Sequence, residues 1–342
     1  GWFFTLHAIS SMVFDKVAYK NVISNGLVLD KNGMKMSKRL GNAVDPFTTM
    51  DKYGADALRW YMLTNASPWD NLRFDMDGLD EVRRKFFGTL HNTYAFFALY
   101  ANVDGFKFEE APIPVADRPE MDQWILSELN TLIAQVVDGM EAFEPTRAFR
   151  PIQEFTTEKL SNWYVRLGRR RFWKGEYAAD KISAYQTLWT CLETLSRLMA
   201  PLAPFYADKL YQDLYSGVAL EGENSVHLTR FPMSDAALVN TALEHKINTA
   251  RKLTSLVLSI RKKENLKVRQ PLARVLVPAL NKQDAEVLES IQNILLAEVN
   301  VKALEIIAPD AGVFVKKVKP NFKALGPKVG RHMKAVKAFI EG

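Results

Sequence analysis

Three apolar stripes between Met121 and Met199, each repeating every three or four residues and each bounded by proline, constrain this chain more than any other feature. Met121, Ile125, Leu129, Leu132, Val136 and Met140 fall on one face of a helix. Ile152, Phe155, Leu160, Trp163 and Leu167 form a second stripe, beginning after Pro151. Ile182, Tyr185, Leu188, Leu192, Leu195 and Met199 form a third, stopped by Pro201 and Pro204, because proline has no N–H to continue the ladder. A shorter helix is expected from Pro204 to about Tyr215. Antiparallel helices joined by short connections imply a bundle.

The character changes on either side of this bundle. From Asn102 to Asp122, Pro112, Pro114 and Pro119 are mixed with many carboxylates, which reads as an exposed linker. After Pro232, Leu243, Ile247, Ala250, Leu253, Val257 and Ile260 define a long helix, and Val268 to Val277 alternates as a strand does. A helix from about Asp284 to Leu296, strands near Val301–Ile307 and Val313–Lys319, and a last helix from about Pro327 to Ile340 complete a small α+β unit. With 342 residues, of which 48% are hydrophobic, the chain is long enough for two or three domains.

Composition narrows the chemistry. A single cysteine, Cys191, rules out a disulfide framework and a zinc site built on thiolates, and it suits a reducing cytosol. No run of about 18 apolar residues and no signal-peptide pattern is present, so a cytoplasmic protein outside the membrane is expected. The net charge of +6 is modest, so where the charge sits matters more than its total.

The stretch Asn32-Gly33-Met34-Lys35-Met36-Ser37-Lys38-Arg39-Leu40-Gly41-Asn42 sets two lysines, a serine and an arginine between two glycines. Lys35 and Lys38 can place two ammonium charges over a polyphosphate. A solvated basic turn is the competing reading, and the flanks decide between them. Upstream, Tyr19 to Leu29 is a β-rich apolar run broken by Asn25-Gly26; downstream come Asp45-Pro46 and Gly54-Ala55-Asp56-Ala57-Leu58-Arg59. In that order these parts resemble the class I aminoacyl-tRNA synthetases for isoleucine, valine and leucine, with Arg39 closing the Lys-Met-Ser-Lys-Ser signature.

The resemblance implies that residues 1–45 end a parallel α/β nucleotide fold, followed by a helical connector at 46–115, a helical-bundle anticodon-binding domain at 116–232 and an α+β unit at 233–342, mainly α overall. It also implies ATP as substrate, with magnesium expected and no zinc site. By the same match Lys35 and Lys38 are catalytic, Lys38 holding the leaving phosphates. The main chain around Met36 and Ser37 lies near the adenine, and backbone groups of Gly26 and Val28 receive it. Asn25 stands where some members carry histidine. Trp2 matches an aromatic wall of the isoleucine pocket, although a tryptophan in an apolar helix is also an ordinary core residue. The family's His-x-Gly-His element is absent, since the five histidines are isolated, and so is the editing insertion. With no initiator methionine before Gly1-Trp2-Phe3, a C-terminal piece of a longer protein is expected.

A second basic region runs from Lys159 to Lys174 with six positive side chains. Helical spacing puts Arg166, Arg169 and Arg170 on one face, with Arg171 and Trp173 beside them, while Trp163 and Leu167 point to the core. Arginine forks suit phosphates and exposed aromatics stack on unpaired bases, so tRNA contact is favoured over a merely solvated face. Asn162-Trp163-Tyr164-x-Arg166 and Arg169-Arg170-Arg171-Phe172-Trp173 resemble the anticodon domain of isoleucyl-tRNA synthetases. Two further stretches, Arg261–Leu272 and Lys316–Lys328, resemble that family's tail, or simply keep helix ends soluble. The expected partners are tRNA(Ile), ATP and isoleucine, with neither membrane nor DNA. A valyl enzyme and a non-catalytic RNA-binding module are the alternatives.

Overall fold

The computed structural model describes residues 1–174, 176–220, 222–308, 330–332, 335–336 and 339. The expected strand at Val313–Lys319, nearly all of the expected last helix and the basic stretch Lys316–Lys328 lie outside the described residues. The chain divides into two compact units, 1–244 and 245–342.

The first unit opens with α1, Trp2–Phe14, which has no buried side chain. Of the apolar run Tyr19–Leu29, only Val28–Leu29 forms a strand, β1. It pairs in parallel with β2, Leu72–Arg73, a strand that no local pattern announces. The short pairing follows from its flanks: the Gly26 N–H is spent on the Pro68 carbonyl at 2.7 Å, where the chain leaves the ladder. Between the strands lie α2, Pro46–Tyr53, capped by the Asp45 carboxylate with proline in the first turn, and α3, Ala55–Asn65. A long helix, α4, covers 76–104 and widens to i→i+5 pairing over Val82–Phe87.

Residues 102–122 are not an exposed linker. Phe106 is buried and stacks on Tyr185 at 4.9 Å. The strap's backbone is satisfied by bundle side chains: the Ile113 N–H donates to Gln186 Oε1 at 2.9 Å, and Gln186 Nε2 donates to the Ala111 carbonyl at 3.1 Å. Arg118 is buried, donating to the Ile113 carbonyl and to Thr187 Oγ1, both at 2.9 Å. Polar composition predicted solvent here, but paired polar groups are as much at home inside.

The bundle comprises α5, Glu120–Glu141, α6, 145–173, α7, Ala179–Met199, and α8, Pro204–Tyr215. Its core takes Ile125, Leu129 and Val136 from the first stripe, Ile152, Phe155 and Trp163 from the second, and Tyr185, Leu192 and Met199 from the third. Met140, at the end of its stripe, is exposed. The α6 helix begins at Pro145 rather than after Pro151, because a first-turn position needs no N–H. Just beyond Pro151 the helix widens to i→i+5 pairing over Phe155–Val165.

In the second unit, β3, Leu272–Pro278, and β4, Val301–Ile307, pair in parallel and α10, Lys282–Val299, crosses between them. Leu295, Val299 and Val301 form its core, against Leu253 and Val257 of α9, Thr241–Lys263. The strand expected from Val268 starts only at Leu272. Residues 267–270 wrap instead around Arg261, which is 1% exposed and donates to the carbonyls of Lys267, Gln270 and Asn300, each at 3.0 Å. Arg261 is therefore an internal clamp and not a surface charge; Lys262, Lys263, Lys267 and Arg269 stay exposed.

Candidate functional site

The lysine loop is a hairpin stapled from within. Leu29 and Lys35 form an antiparallel bridge, and the Asp30 N–H donates to the Met34 carbonyl at 2.9 Å. Asp30 Oδ1 accepts from the N–H groups of Asn32 at 2.9 Å and Met34 at 2.8 Å. Its Oδ2 accepts from Asn42 Nδ2 at 2.9 Å. The same Asn42 carboxamide donates to the Lys35 carbonyl at 3.3 Å and accepts from the Ser37 N–H at 2.9 Å, so one side chain holds both limbs. Ser37 Oγ caps a single turn over Lys38–Leu40, which Gly41 ends in the left-handed conformation, φ +67°, where a side chain is strained. These bonds, Asn42 first and then the Met34 N–H, hold the Asp30 carboxyl below its ordinary range.

Strapped in this way, the loop presents Lys35 and Lys38 to solvent. Among the described residues neither ammonium enters a hydrogen bond or ion pair. Lys38 lies near enough to Asp45 to help lower that carboxyl's pKa, behind the larger effect of the Thr48 N–H. Asp30 and Asn42 were given no role by the sequence reading; the signal that could have found them is that a short-chain carboxylate and carboxamide close to Gly33 and Gly41 are well placed to turn the backbone.

Beside the loop, Gly26 lies so close to the chain opposite that an added Cβ would sit 2.2 Å from the Asp70 carbonyl oxygen. Glycine is required for that approach. The ladder bonds run from the Leu72 N–H to the Leu27 carbonyl at 2.9 Å and from the Phe74 N–H to the Leu29 carbonyl at 2.8 Å. Because alternate residues of a strand face opposite edges, the N–H and C=O of Val28 point away from β2, leaving a donor–acceptor pair on the edge. Val28, Gly26 and the lysine loop are therefore gathered by the hairpin. Trp2 stands apart, 90% exposed, so it is not a core residue of the described chain.

On α6 the expected face divides. Arg166, Arg169, Arg170 and Trp173, the last 46% exposed, lie on the surface. Arg166 sits over the Trp163 ring at 5.8 Å and donates to the Asn162 carbonyl at 2.8 Å; among the described residues the guanidinium groups of Arg169 and Arg170 enter no hydrogen bond or ion pair. Arg171 faces inward. Its guanidinium forks onto Asp122, Nη1 at 2.6 Å and Nη2 at 2.8 Å, and also meets Asp180 at 3.0 Å. Expected on the RNA-contacting face, Arg171 is instead spent on carboxylates 49 and 9 residues distant. Lys159, counted with the same charges, is paired with Glu128 at 2.5 Å.

Asp122 is the centre of this arrangement. It is fully buried and also accepts from Tyr164 Oη at 2.8 Å and Ser183 Oγ at 2.6 Å. Burial, and then the Asp122 charge, push the Tyr164 phenol far up, which keeps it protonated as a donor. Burial is the largest single influence and opposes the charge on Arg171, but the hydrogen bonds to Asp122, the charges of Tyr164 and Asp122 and the bond to Asp180 together outweigh it and raise its pKa. Four donors on one buried carboxylate thus set the rotation of α6, and with it the direction of Arg169 and Arg170. Among the described residues no group of three or more His, Cys, Asp and Glu side chains is placed to hold a metal, and no helix is long and apolar enough to cross a membrane.

Comparison with known proteins matches two segments of the chain. Residues 1–75 match the family model of tRNA synthetases class I (I, L, M and V), and residues 122–277 match that of the anticodon-binding domain of tRNA ligase. An isoleucine–tRNA ligase of Bacteroides thetaiotaomicron is 59% identical over 99% of this chain and 29% of its own length. The Porphyromonas gingivalis enzyme of the same name is 59% identical over 98% of the chain and 29% of its length, and that of Thermus thermophilus 40% identical over 100% and 33%. The chain thus spans 29% of the length of the first curated relatives it matches. The crystal structure of the ternary complex of Agrobacterium radiobacter K84 agnB2 LeuRS with tRNA and LeuAMS superposes on 70% of this chain and 28% of that one with a TM-score of 0.50, at 23% identity, a likeness of fold alone. Signature loop, the two family-model matches and identity of 40–59% over nearly the whole chain agree, and the chain belongs to the class I tRNA synthetases (I, L, M and V), as a segment similar to part of the isoleucine–tRNA ligases.

Proposed function

We propose that this chain supplies the nucleotide-holding loop and the tRNA-contacting helix of a cytoplasmic isoleucine–tRNA ligase. In the whole enzyme the isoleucine carboxylate attacks the α-phosphate of ATP, giving isoleucyl adenylate and pyrophosphate, and the isoleucyl group then passes to tRNA(Ile). The observation that carries the first half is the pair of unpartnered ammonium groups, Lys35 and Lys38, on a stapled loop beside an open strand edge. A phosphoryl centre asks for positive charge and positioning rather than covalent help. Lys38 holds the leaving phosphates as charge builds on them, and Lys35 adds to the field. The backbone edge at Gly26 and Val28 receives the adenine, and the main chain of Met36 and Ser37 lies over it. Magnesium enters with the nucleotide, and Trp2, exposed on α1, walls the isoleucine side chain.

For the second half, Arg166, Arg169, Arg170 and Trp173 meet the tRNA; Arg171 is withdrawn from that set because its donors are already spent on Asp122 and Asp180. Isoleucine is favoured over the valine alternative by the identity of 40–59% to isoleucine–tRNA ligases. The test is isoleucine-dependent ATP–pyrophosphate exchange in a full-length ligase carrying this segment, with and without Lys38→Ala. A variant as fast as its parent removes Lys38 from catalysis, and valine turned over better than isoleucine overturns the substrate.

A further inference from the structure

The helix α3 makes no part of either proposed site, yet both of its ends are bolted to the bundle by bonds that the bundle cannot make for itself. At its start, Asp56 Oδ2 accepts from the Tyr206 N–H at 2.6 Å. This is one of the first N–H groups of α8, whose own capping position is Ala203, a residue with no side-chain acceptor. One turn on, Arg59 forks onto the carbonyls that follow α7, Nε to Leu202 at 2.9 Å and Nη2 to Pro201 at 3.2 Å. At the other end the exchange is reversed. The last carbonyls of α3 accept from α6: Arg150 Nε donates to Thr64 at 2.6 Å and Nη2 to Asn65 at 2.9 Å, and Thr146 Oγ1 donates to Leu63 at 2.7 Å. Between them Trp60 is fully buried, stacked on Phe86 at 4.4 Å and edge-on to Phe149 of α6 at 5.7 Å.

The opposite side of α3 is tied to the nucleotide loop. Tyr61 Oη donates to the Arg73 carbonyl of β2 at 3.2 Å and accepts from the Asp75 N–H at 3.0 Å. The partner strand of β2 is β1, which leads into the lysine hairpin. A continuous run of bonded backbone therefore joins the loop to α6, and α6 carries Arg169 and Arg170 at its far end. One tRNA molecule must satisfy both places together, so the distance between them is itself a functional quantity.

We propose that α3 is a strut that sets this distance, and that Asp56, Arg59 and Arg150 are positioning residues for transfer of the isoleucyl group to tRNA with no part in forming the adenylate. This rests on the function proposed above. Adenylate formation uses the loop, the strand edge at Gly26 and Val28 and the isoleucine pocket, to none of which Asp56, Arg59 or Arg150 is bonded, whereas transfer needs an RNA docked on the arginine face to present its end at the loop. Loss of a strut contact leaves docking intact and misplaces that end, so the defect falls in kcat for tRNA and spares KM.

The test uses a full-length ligase carrying this segment, with Asp56→Ala, Asp56→Asn and Arg59→Lys. ATP–pyrophosphate exchange is measured without tRNA, and aminoacylation with an isoleucine tRNA transcript. For Asp56→Ala and Arg59→Lys the expected result is exchange within about twofold of the parent and a transfer kcat reduced roughly tenfold, a typical coupling between sites, at unchanged KM for tRNA. Asp56→Asn restores transfer, because a carboxamide oxygen caps α8 as well as a carboxylate. Arg59→Lys keeps charge and stem but offers a single ammonium to two carbonyls, so it carries the test if Asp56→Ala fails to fold. Exchange falling in step with transfer overturns the strut, as does transfer unaffected by either variant. A parent without isoleucine-dependent exchange sinks the function and not this inference.

Discussion

The lysine loop and the arginine helix bring positive charge to a surface by opposite means. The loop is built from its own neighbours: Asp30 and Asn42 are 12 residues apart, and the bonds that shape it are exposed or half-buried. The arginine helix is aimed from far away, by a buried carboxylate 42 residues from Tyr164, 49 from Arg171 and 61 from Ser183. An exposed local framework contributes little to global stability and is cheap to open, which suits the nucleotide-holding role proposed for the loop. Its buried counterpart is costly to disturb and holds one geometry, which suits the RNA contact proposed for the helix. Similar charges thus sit on supports of very different stiffness.

Substitutions sharpen or break this contrast. The largest effect is expected from Asp122→Ala, which leaves the largely buried Arg171 with only the exposed Asp180 as a partner and takes the acceptor from Tyr164 and Ser183; a loss of about 3–5 kcal/mol is expected in urea unfolding. A loss under about 1 kcal/mol would show that Asp122 is not the anchor of α6. Next is Lys38→Ala in a full-length ligase, with adenylate formation slowed about 10²–10³-fold, as for removal of one preorganised donor from a developing charge. Isoleucine affinity and unfolding midpoint should stay where they were. Asn42→Ala should cost roughly tenfold in adenylate formation while stability moves by less than about 1 kcal/mol, because the group it removes shapes the loop without supporting a core. If it lowered stability as much as Asp122→Ala, the two supports would not differ in kind.

Smaller again are Arg169→Ala and Arg170→Ala, each weakening tRNA binding a few-fold and each flattening the salt dependence by about one phosphate contact. Arg171→Ala should depart from this pair by destabilising the fold. Titration of Asp30 has the smallest consequence. Its folded pKa is lowered, so its contribution to loop order is fully present above the ordinary value of 3.8 and is lost as pH falls through the lower folded value. Hydrogen-exchange protection of the Met34 amide should therefore be level from pH 7 to 5. A fall within that window removes Asp30 as the acceptor.

Legibility in the sequence followed the same division. The third stripe, the stop at Pro201 and Pro204, and α8 from Pro204 to Tyr215 appear where periodicity and proline place them. So does β4 at Val301–Ile307. What went unread is a set of polar residues with distant partners. Arg118 and Asp122 read as part of an exposed linker, Arg171 as an RNA contact and Arg261 as part of a basic tail or helix end, and all four are buried or largely so with partners supplied by other elements. The strand at Leu72–Arg73 was invisible because two residues carry no period, and it exists only because Val28–Leu29 lies opposite.

Local chemistry along the chain is enough to determine which segments are helices, that a Lys-x-x-Lys loop sits between two glycines, and that an arginine run follows a tryptophan, since each depends on spacing within a few residues. The direction in which those charges point is a different matter. Whether an arginine on α6 meets solvent or a carboxylate depends on the rotation of that helix, and the rotation is set by Asp122 on α5 and Ser183 on α7. Buried charge is tolerated only with every partner in place. Tertiary structure therefore chose Arg169 and Arg170 for the surface and Arg171 for the interior, although the three stand side by side in the chain.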